Sequence, residues 1–334
     1  SLGSGVGRLI SEEYPDGFVV FVPQTAVGDK ILAKIVKVEK RYAYGIIEKI
    51  LVSSRDRIDT ADCPVYKQCG GCVWRHVSYD AELRYKEQFV KDCIERIAEI
   101  YDAEFLPIIG SEEINRYRNK AQYPIGKNKQ QETVVGFYAQ HSHHIVSCTD
   151  CILQPELFEK IVNCVKNWIN LYNVSIYDEK KKCGLLRHIY IRQGKQSEQL
   201  MICLISSNAK VPHLNDLVQE LSHIHTIDSF ILNINDKDTN VVLGNKNINL
   251  LGNGSINDRL CKIDCSIDSQ AFYQVNSRQA EKLYTIARDF ADLNKDDILL
   301  DLYCGAGTIG LSMARFVKQV IGVEIVPEAI DNAI

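Results

Sequence analysis

Three cysteines stand at 63, 69 and 72 in CPVYKQCGGCVW, a C-x5-C-x2-C spacing with two glycines inside the tighter pair. Thiolates spaced in this way hold either a tetrahedral zinc ion or an iron–sulfur cluster, and three of them call for a fourth ligand elsewhere. Gly70 and Gly71 leave backbone N–H groups free to reach sulfur. A second chemically suggestive stretch is DLYCGAGTIG, residues 301–310. Gly305 and Gly307 follow the apolar run ILLDLY, which reads as a buried strand. Glycine there lets a ligand approach the backbone, and the helix that follows offers its N–H groups. Asp301 stands at the end of that strand and Glu324 ends the next one, VIGVE. An acidic side chain in Glu324's place can accept both hydroxyls of an adenosine ribose. Two ligands suit such a turn: a nicotinamide or flavin dinucleotide, and S-adenosylmethionine. The G-x-G-x-x-G spacing admits the first, whereas Asp301 suits a cationic sulfonium or an amino group better than a phosphate.

The elements that must position these residues can be read from periodicity. Residues 1–57 hold the short strands GFVVFV, KILAKIVKVEK and AYGIIEKILV between Gly, Asp and Pro signals, a spacing that predicts a small closed barrel. Alternation in ILAKIVKV sets apolar residues on one face and Lys34 and Lys37 on the other. Lys30, Lys34, Lys37, Lys40 and Arg41 face only Glu39 in that stretch, which describes either a solvated sheet face or a surface for RNA phosphates. Residues 58–76 form the cysteine segment. YDAELRYKEQFVKDCIERIAEIY then predicts a helix with Leu83, Phe89, Val90, Cys93, Ile94 and Ile97 on one broad face. From about 105 to 255, strand-like LRHIYIRQG, LMICLISS, SFILNIN and TNVVLG are interrupted by helical PELFEKIVNCVKNWINLY and HLNDLVQELSHI. That pattern predicts an α+β domain with a largely antiparallel sheet. SRQAEKLYTIARDFADL, residues 277–293, predicts a helix with Ser277 as its cap or in its first turn. The stretch from DDILLDLY onward reads as strand, glycine turn, helix, strand and the start of another helix, the opening of a doubly wound parallel sheet. Two strands cannot close the core of such a sheet, so a longer protein is expected.

Composition bounds the class. A chain of 334 residues supports two or three domains, and its formal net charge of −4 argues neither for nor against nucleic acid. No apolar run approaches the ~18 residues of a membrane span. The start, SLGSGVGRLI, lacks the basic and apolar regions of a secretory signal. Twelve cysteines in a chain with an ordinary core point to reduced thiols and a reducing cytoplasm. Cys93, Cys164, Cys203, Cys261 and Cys265, placed singly or loosely, read as mostly packed thiols.

Across nearly its whole length the sequence resembles the RNA (uracil-5-)-methyltransferases, in particular the iron–sulfur 23S ribosomal RNA branch. The 1–57 barrel resembles that family's TRAM domain, CPVYKQCGGCVWRHVSYDAEL its cluster segment, and YRNKAQYPIG (117–126) its central-domain signature. FYQVN and DLYCGAGTIG resemble its cofactor site. The resemblance implies a multi-domain fold: an OB-like TRAM β-barrel (1–57), the cluster segment (58–76), a central α+β domain with its linker helix (77–265), and the truncated start of a Rossmann-like methyltransferase domain (266–334). It implies a [4Fe–4S] cluster on Cys63, Cys69, Cys72 and a later cysteine. HHIVSCTDCILQ offers Cys148 and Cys151, and placement before Ile152-Leu153-Gln154 favours Cys151. His141, His143 and His144 nearby read as bystanders or RNA contacts. The resemblance further implies that Gln274, Tyr303 and Glu324 contact S-adenosylmethionine, with Thr308, Asp301 and Gly305 as further cofactor residues. Phe272 and Asn276 shape the pocket, and Arg118, Asn119, Lys120 and Gln122 contact RNA or another domain.

The implied activity is methylation of C5 of a uridine in RNA, ribosomal first and transfer RNA as the alternative, by a monomeric cytoplasmic enzyme. In the family a cysteine thiolate adds to C6, the resulting enolate takes the methyl group, and a base removes the C5 proton. Both of those residues lie beyond Ile334 in the family pattern, so none here is named as catalytic. Cys304 belongs to the cofactor turn. Two other readings remain, a non-catalytic RNA-binding cluster protein and an iron–sulfur redox protein that uses a nucleotide.

Overall fold

The structure, a computed structural model, describes residues 3–10, 12–60, 62–325 and 330. It divides into two compact units, Ser1–Ile114 with Ala139–Ser142, and Asn115–Tyr138 with His143–Ile334.

The first unit opens with four strands, β1 (Ser4–Leu9), β2 (Phe18–Pro23), β3 (Lys30–Val38) and β4 (Tyr42–Val52). They pair in the order β1-β2-β4-β3 as an open row among the described residues, with β2 and β4 parallel and the other pairs antiparallel. A register shift between Ile35 and Lys37 resets the two-residue period. Lys34 and Lys37, three residues apart, can therefore share a face, which strict alternation would forbid. β1, whose apolar residues Val6 and Leu9 show no alternation, is recruited by its ladder with β2.

α1 (Tyr79–Asp92) starts at Ser78, whose hydroxyl accepts from the Ala81 amide, and it continues as a π-turn over Cys93–Ile97. Ala81 is the buried residue of this helix, and Cys93 and Ile94 are half-buried. Ala81 packs with Ala26, Val77, Trp74 and Tyr85. Phe89, Val90 and Ile97 of the expected apolar face remain exposed.

The second unit is built on a seven-stranded sheet in the order β11-β10-β9-β8-β5-β6-β7. In chain order these are β5 (Lys120–Lys127), β6 (Thr133–Tyr138), β7 (Ile145–Ser147), β8 (Leu186–Gln193), β9 (Leu200–Ser206), β10 (Ser229–Ile234) and β11 (Lys246–Leu251). The sheet is antiparallel except for β9 with β10, as the sequence suggested. Two helices, α2 (Glu156–Leu171) and α3 (Leu214–Ile224), supply one layer. Phe158, Ile161, Val162, Val165, Trp168 and Ile169 of α2 are buried, at the spacing of one helical face.

Every residue of β9 is buried, so its apolar run has to fill two cores. Ile202 and Leu204 point into the core shared with α2 and α3. Met201, Cys203 and Ile205 point into a second core with Ile256, Leu260, Ile267, Ala280 and Tyr284. That second core is closed by the hairpin β12 (Ser255–Leu260) and β13 (Ile263–Asp268) and by α4 (Ser277–Ala291). Each fully buried Leu, Ile or Phe side chain contributes about 1.5–3 kcal/mol.

TNVVLG, expected as a strand, is irregular. Side-chain amides have taken its backbone partners. Asn235 Nδ2 donates to the Val241 and Val242 carbonyls, and Asn233 both donates to the Gly244 carbonyl and accepts from its amide.

The chain then forms β14 (Ile298–Leu302), α5 (Thr308–Met313) with a short 3-10 turn over Ala314–Phe316, and β15 (Gln319–Val323). The two strands are parallel, which confirms the strand–turn–helix–strand reading. β14 is not the buried strand expected: Ile298, Leu300 and Leu302 are exposed, because α5 covers only the face that carries Leu299 and Asp301. The helix expected after Glu324 lies, Ile330 apart, outside the described residues.

Candidate cofactor site and cysteine segment

The glycine turn is held from both sides by carboxylates. Asp301 Oδ2 accepts from the Gly310 amide at 2.8 Å. Glu324 accepts from the Gly305 amide through Oε2 at 2.9 Å and from the Ile325 amide through Oε1 at 2.8 Å. Gly305 (φ +54°) and Gly307 (φ +70°) occupy the left-handed region, and nothing lies within 4 Å of where a Gly305 Cβ would sit. The turn therefore presents bare backbone to open space. Gly310 has a different role. A Cβ there would stand 2.7 Å from Asp301 Oδ2 and 3.0 Å from Val320 Cγ1, so the third glycine lets α5 lie close on the sheet.

Tyr303 is 89 % exposed and has φ +60°, a conformation that costs a non-glycine residue about 1–2 kcal/mol. Thr308 opens α5, and the Tyr284 hydroxyl of α4 lies 3.4 Å from its Oγ1. Asp301, Gly305, Thr308 and Glu324 are thus brought together by one turn. Burial, with Asp301 and Glu324 adding to it, raises the Cys304 thiol, which is the wrong environment for a thiolate nucleophile.

Gln274 lies on the loop before α4, and this loop is fixed by residues far away in sequence. Asn119, nearly fully buried, donates through Nδ2 to the Gln274 carbonyl at 2.9 Å and to Ser277 Oγ at 3.0 Å. Its own amide donates to the Val275 carbonyl at 2.9 Å. Upstream, the buried Arg192 guanidinium donates to the Asp268 and Ala271 carbonyls. Asn276 caps α4 by accepting from the Gln279 amide, so Ser277 sits in the first turn. Phe272 is exposed. Asn119, expected to contact RNA or another domain, bonds to the 266–334 segment, 155 positions away at Gln274, whereas Arg192 as a loop anchor has no local signal in the sequence. Lys120 beside them is pushed down to about 8 by burial and by the Arg192 and Arg118 charges.

In the first unit the cysteine segment is pinned through its polar residues. Tyr66 and His76 are buried, with the Tyr66 hydroxyl 2.6 Å from His76 Nδ1 and His76 Nε2 3.0 Å from the Thr25 carbonyl. Arg57 donates to both oxygens of Asp29, at 2.5 and 3.3 Å. Burial alone would raise the Asp29 carboxyl, but Arg57 and the Ala26 and Ser54 amides hold it below its usual value. The Gly71 amide donates to Cys69 Sγ at 3.3 Å. Burial raises the Cys69 thiol, and Cys63 beside it raises it further.

Cys148 and Cys151 belong to the second unit, on a loop wrapped around Arg116, which donates to Asp150 Oδ1 and to the Cys151 and Gln154 carbonyls. Cysteine sulfur is a suitable donor for a thiolate-held metal. Among the described residues, however, no group of three or more His, Cys, Asp or Glu side chains stands in metal-holding geometry. None of the cysteines is in a disulfide. No helix among the described residues is long and apolar enough to cross a membrane.

Comparison with known proteins agrees with this arrangement. The TRAM domain profile matches residues 1–47. A protein of Halalkalibacterium halodurans named an uncharacterized RNA methyltransferase is 40 % identical over 332 residues, 99 % of this chain and 71 % of its own length. A Clostridium tetani protein of the same description is 41 % identical over 99 % of this chain and 70 % of its own. The crystal structure of Pyrococcus abyssi tRNA (uracil-54, C5)-methyltransferase in complex with S-adenosyl-L-homocysteine is similar over 100 % of this chain and 75 % of that one, with a TM-score of 0.73 and 26 % identity. The tRNA (Uracil-5-)-methyltransferase profile covers residues 78–334, and the chain belongs to that family of RNA methyltransferases.

Proposed function

We propose that this protein is a cytoplasmic enzyme that carries a methyl group from S-adenosylmethionine to C5 of a uridine in 23S ribosomal RNA. The observation that supports it best is the turn from Asp301 to Glu324, where bare glycine backbone faces open space between two carboxylates. A carboxylate offers about four acceptor sites, and one at the end of the second strand can accept ribose hydroxyls. The third glycine packs α5 on the sheet, a role it has in either kind of turn, so the preference for a methyl donor over a dinucleotide rests on the family. Gln274, Tyr303 and Thr308 complete the proposed cofactor contacts. C5 of uracil is a poor nucleophile, and a thiolate added to C6 converts it to an enolate that accepts the methyl group. No residue of this chain is assigned as that thiolate or as the base that removes the C5 proton.

Cys63, Cys69, Cys72 and Cys151 are proposed to hold a [4Fe–4S] cluster. The sulfur-only donor set and the Gly71 amide on Cys69 Sγ support this. The strands of 1–57 are proposed to grip RNA through Lys34 and Lys37. The choice of RNA rests on the resemblance of the cysteine segment to the ribosomal branch. Module layout does not separate the two substrates, since the transfer RNA enzyme of P. abyssi is similar over the whole of this chain.

Nucleoside mass spectrometry of RNA from a deletion strain tests the reading. Loss of 5-methyluridine from 23S ribosomal RNA is the expected result. Loss confined to transfer RNA moves the activity to the alternative substrate, and unchanged levels in both overturn it.

A further inference from the structure

A pocket of about 440 Å³ is lined by the β12–β13 hairpin, by α4, by Ser312 of α5 and by the turn after α5. Its lining holds four cations, Arg259, Lys262, Arg288 and Arg315, and one carboxylate, Glu281. We propose that this pocket binds the phosphodiester backbone of the RNA substrate beside the nucleotide to be methylated. The proposal rests on the RNA-methylation reading and adds to it a binding surface.

The cations come from three elements and converge. Arg288 and Arg315 stack on the same Phe316 ring, with their guanidinium carbons 4.9 and 4.7 Å from its centroid. Both guanidiniums also lower the Cys261 thiol, against the raising effect of burial and Glu281, so both face the hairpin tip. Like charges gathered on one ring repel, and cation–π attraction offsets only part of that. An anion between them removes the repulsion. The available acids are already engaged. Glu281 accepts from the Cys261 amide at 2.8 Å and from Gln196, Asp264 is paired with Arg259, and Asp289 with Arg288. Among the described residues neither Lys262 nor Arg315 has a carboxylate partner. Lys295 adds a fifth positive charge by donating to the Arg315 carbonyl.

Against five cations stand three carboxylates, Glu281, Asp264 and Asp289, which leaves an excess of two positive charges, and in a chain of net charge −4 that local excess favours an anion. The lining is polar, which argues against an apolar small molecule. Position points to the substrate. Tyr284 lines the pocket and reaches Thr308 of the cofactor turn, and Ser312 lines it one turn further along α5, about 6 Å from Thr308. An RNA whose reacting base enters at the cofactor turn brings its neighbouring phosphates here.

The test is fluorescence anisotropy with a labelled RNA hairpin carrying uridines in its loop, titrated at several salt concentrations between about 50 and 200 mM. The Lys262→Glu/Arg315→Glu variant should bind at least about tenfold more weakly, and its log K against log salt slope should flatten by about 1.4–1.8, the value for two lost phosphate contacts. Lys129→Glu/Lys180→Glu, with the same change in net charge at exposed sites elsewhere, is the reference. Should charge reversal lower the melting temperature, Lys262→Gln/Arg315→Gln carries the same test. A parent that binds the hairpin while the pocket variant loses no more affinity than the reference pair overturns the pocket and leaves the methylation reading standing. A parent that binds S-adenosylhomocysteine and no RNA overturns both.

Discussion

Asn119 shows how one side chain can fix a loop far away in sequence, here the loop proposed to contact the cofactor through Gln274. Its amide spans from the signature segment to the loop that carries Gln274, making three hydrogen bonds there through Nδ2 and its backbone N–H. Asn119→Ala strips two of them inside the protein, where an unsatisfied acceptor costs about 1–3 kcal/mol. Calorimetric titration with S-adenosylhomocysteine should then show affinity lowered about tenfold, equivalent to ~1.4 kcal/mol. Ser277→Ala, which removes one bond, should do less. A lowered melting temperature with unchanged affinity would show that Gln274 is held by other means. His188 allows a second prediction at this scale. Burial, reinforced by Arg187, pushes its imidazole down to about 4 from 6.5. The unfolded chain takes up a proton as pH falls through 6.5, whereas the native state refuses it until about 4. Stability is therefore complete above pH 6.5 and declines below it, by about 3 kcal/mol at pH 4. Urea unfolding of the parent and of His188→Asn across that window should diverge, with the variant losing less. Parallel pH profiles would refute the assignment.

Between residues and the molecule stand the elements, and here Gly305 in the proposed cofactor turn and Gly310 inside α5 separate strain from crowding. Gly310→Ala places a methyl group against Asp301 and Val320 on β14 and β15, and overpacking of this kind costs about 1–3 kcal/mol. α5 must move off the sheet, so both melting temperature and cofactor affinity should fall. Gly305→Ala meets open space and is opposed only by its positive φ, so the loss of stability should be smaller. Equal losses in circular-dichroism melts would contradict the division of roles. The same contrast explains what could be read beforehand. The strand–turn–helix–strand order, α2, α3, α4 and the central strands announce themselves through periodicity, because burial on one face or two writes a local pattern. TNVVLG misleads because Asn233 and Asn235, several residues upstream, claim its backbone partners. The bulge at Ile35–Lys37 and the anchoring of the loop before α4 by Arg192 are likewise invisible, since each depends on what a distant segment supplies, and for Asn119 only the contact, without its partner, was expected. That Asp301, Gly305, Thr308 and Glu324 lie on one turn is legible because turn chemistry and strand ends are local, and their convergence follows from the βαβ unit alone; their contacts to a cofactor remain proposed.

For the molecule as a whole, thiol accessibility joins the fold to the proposed cluster. All twelve cysteines are free of disulfides, so complete alkylation is expected once the chain is denatured without reductant. In the native apo-protein Cys203 should stay silent, because burial in the second core raises its thiol to about 12 and shuts out reagent. Exposed Cys183 should react readily. The ligands separate on a different basis. Cys63, Cys69, Cys72 and Cys151 are only partly buried, so without a metal they are open to iodoacetamide. In anaerobically isolated protein a cluster should hold these four unlabelled, and an iron chelator under oxidising conditions should release them together. Cys148 serves as the internal comparison: protection of Cys148 with labelling of Cys151 transfers the fourth ligand to it. Mass spectrometry of tryptic peptides reads each site separately, while iron and acid-labile sulfide measured on the same sample exclude zinc as the protecting ion. Labelling of all four in brown, iron-loaded protein would place that iron elsewhere, and zinc with no sulfide would replace the cluster by a thiolate zinc site.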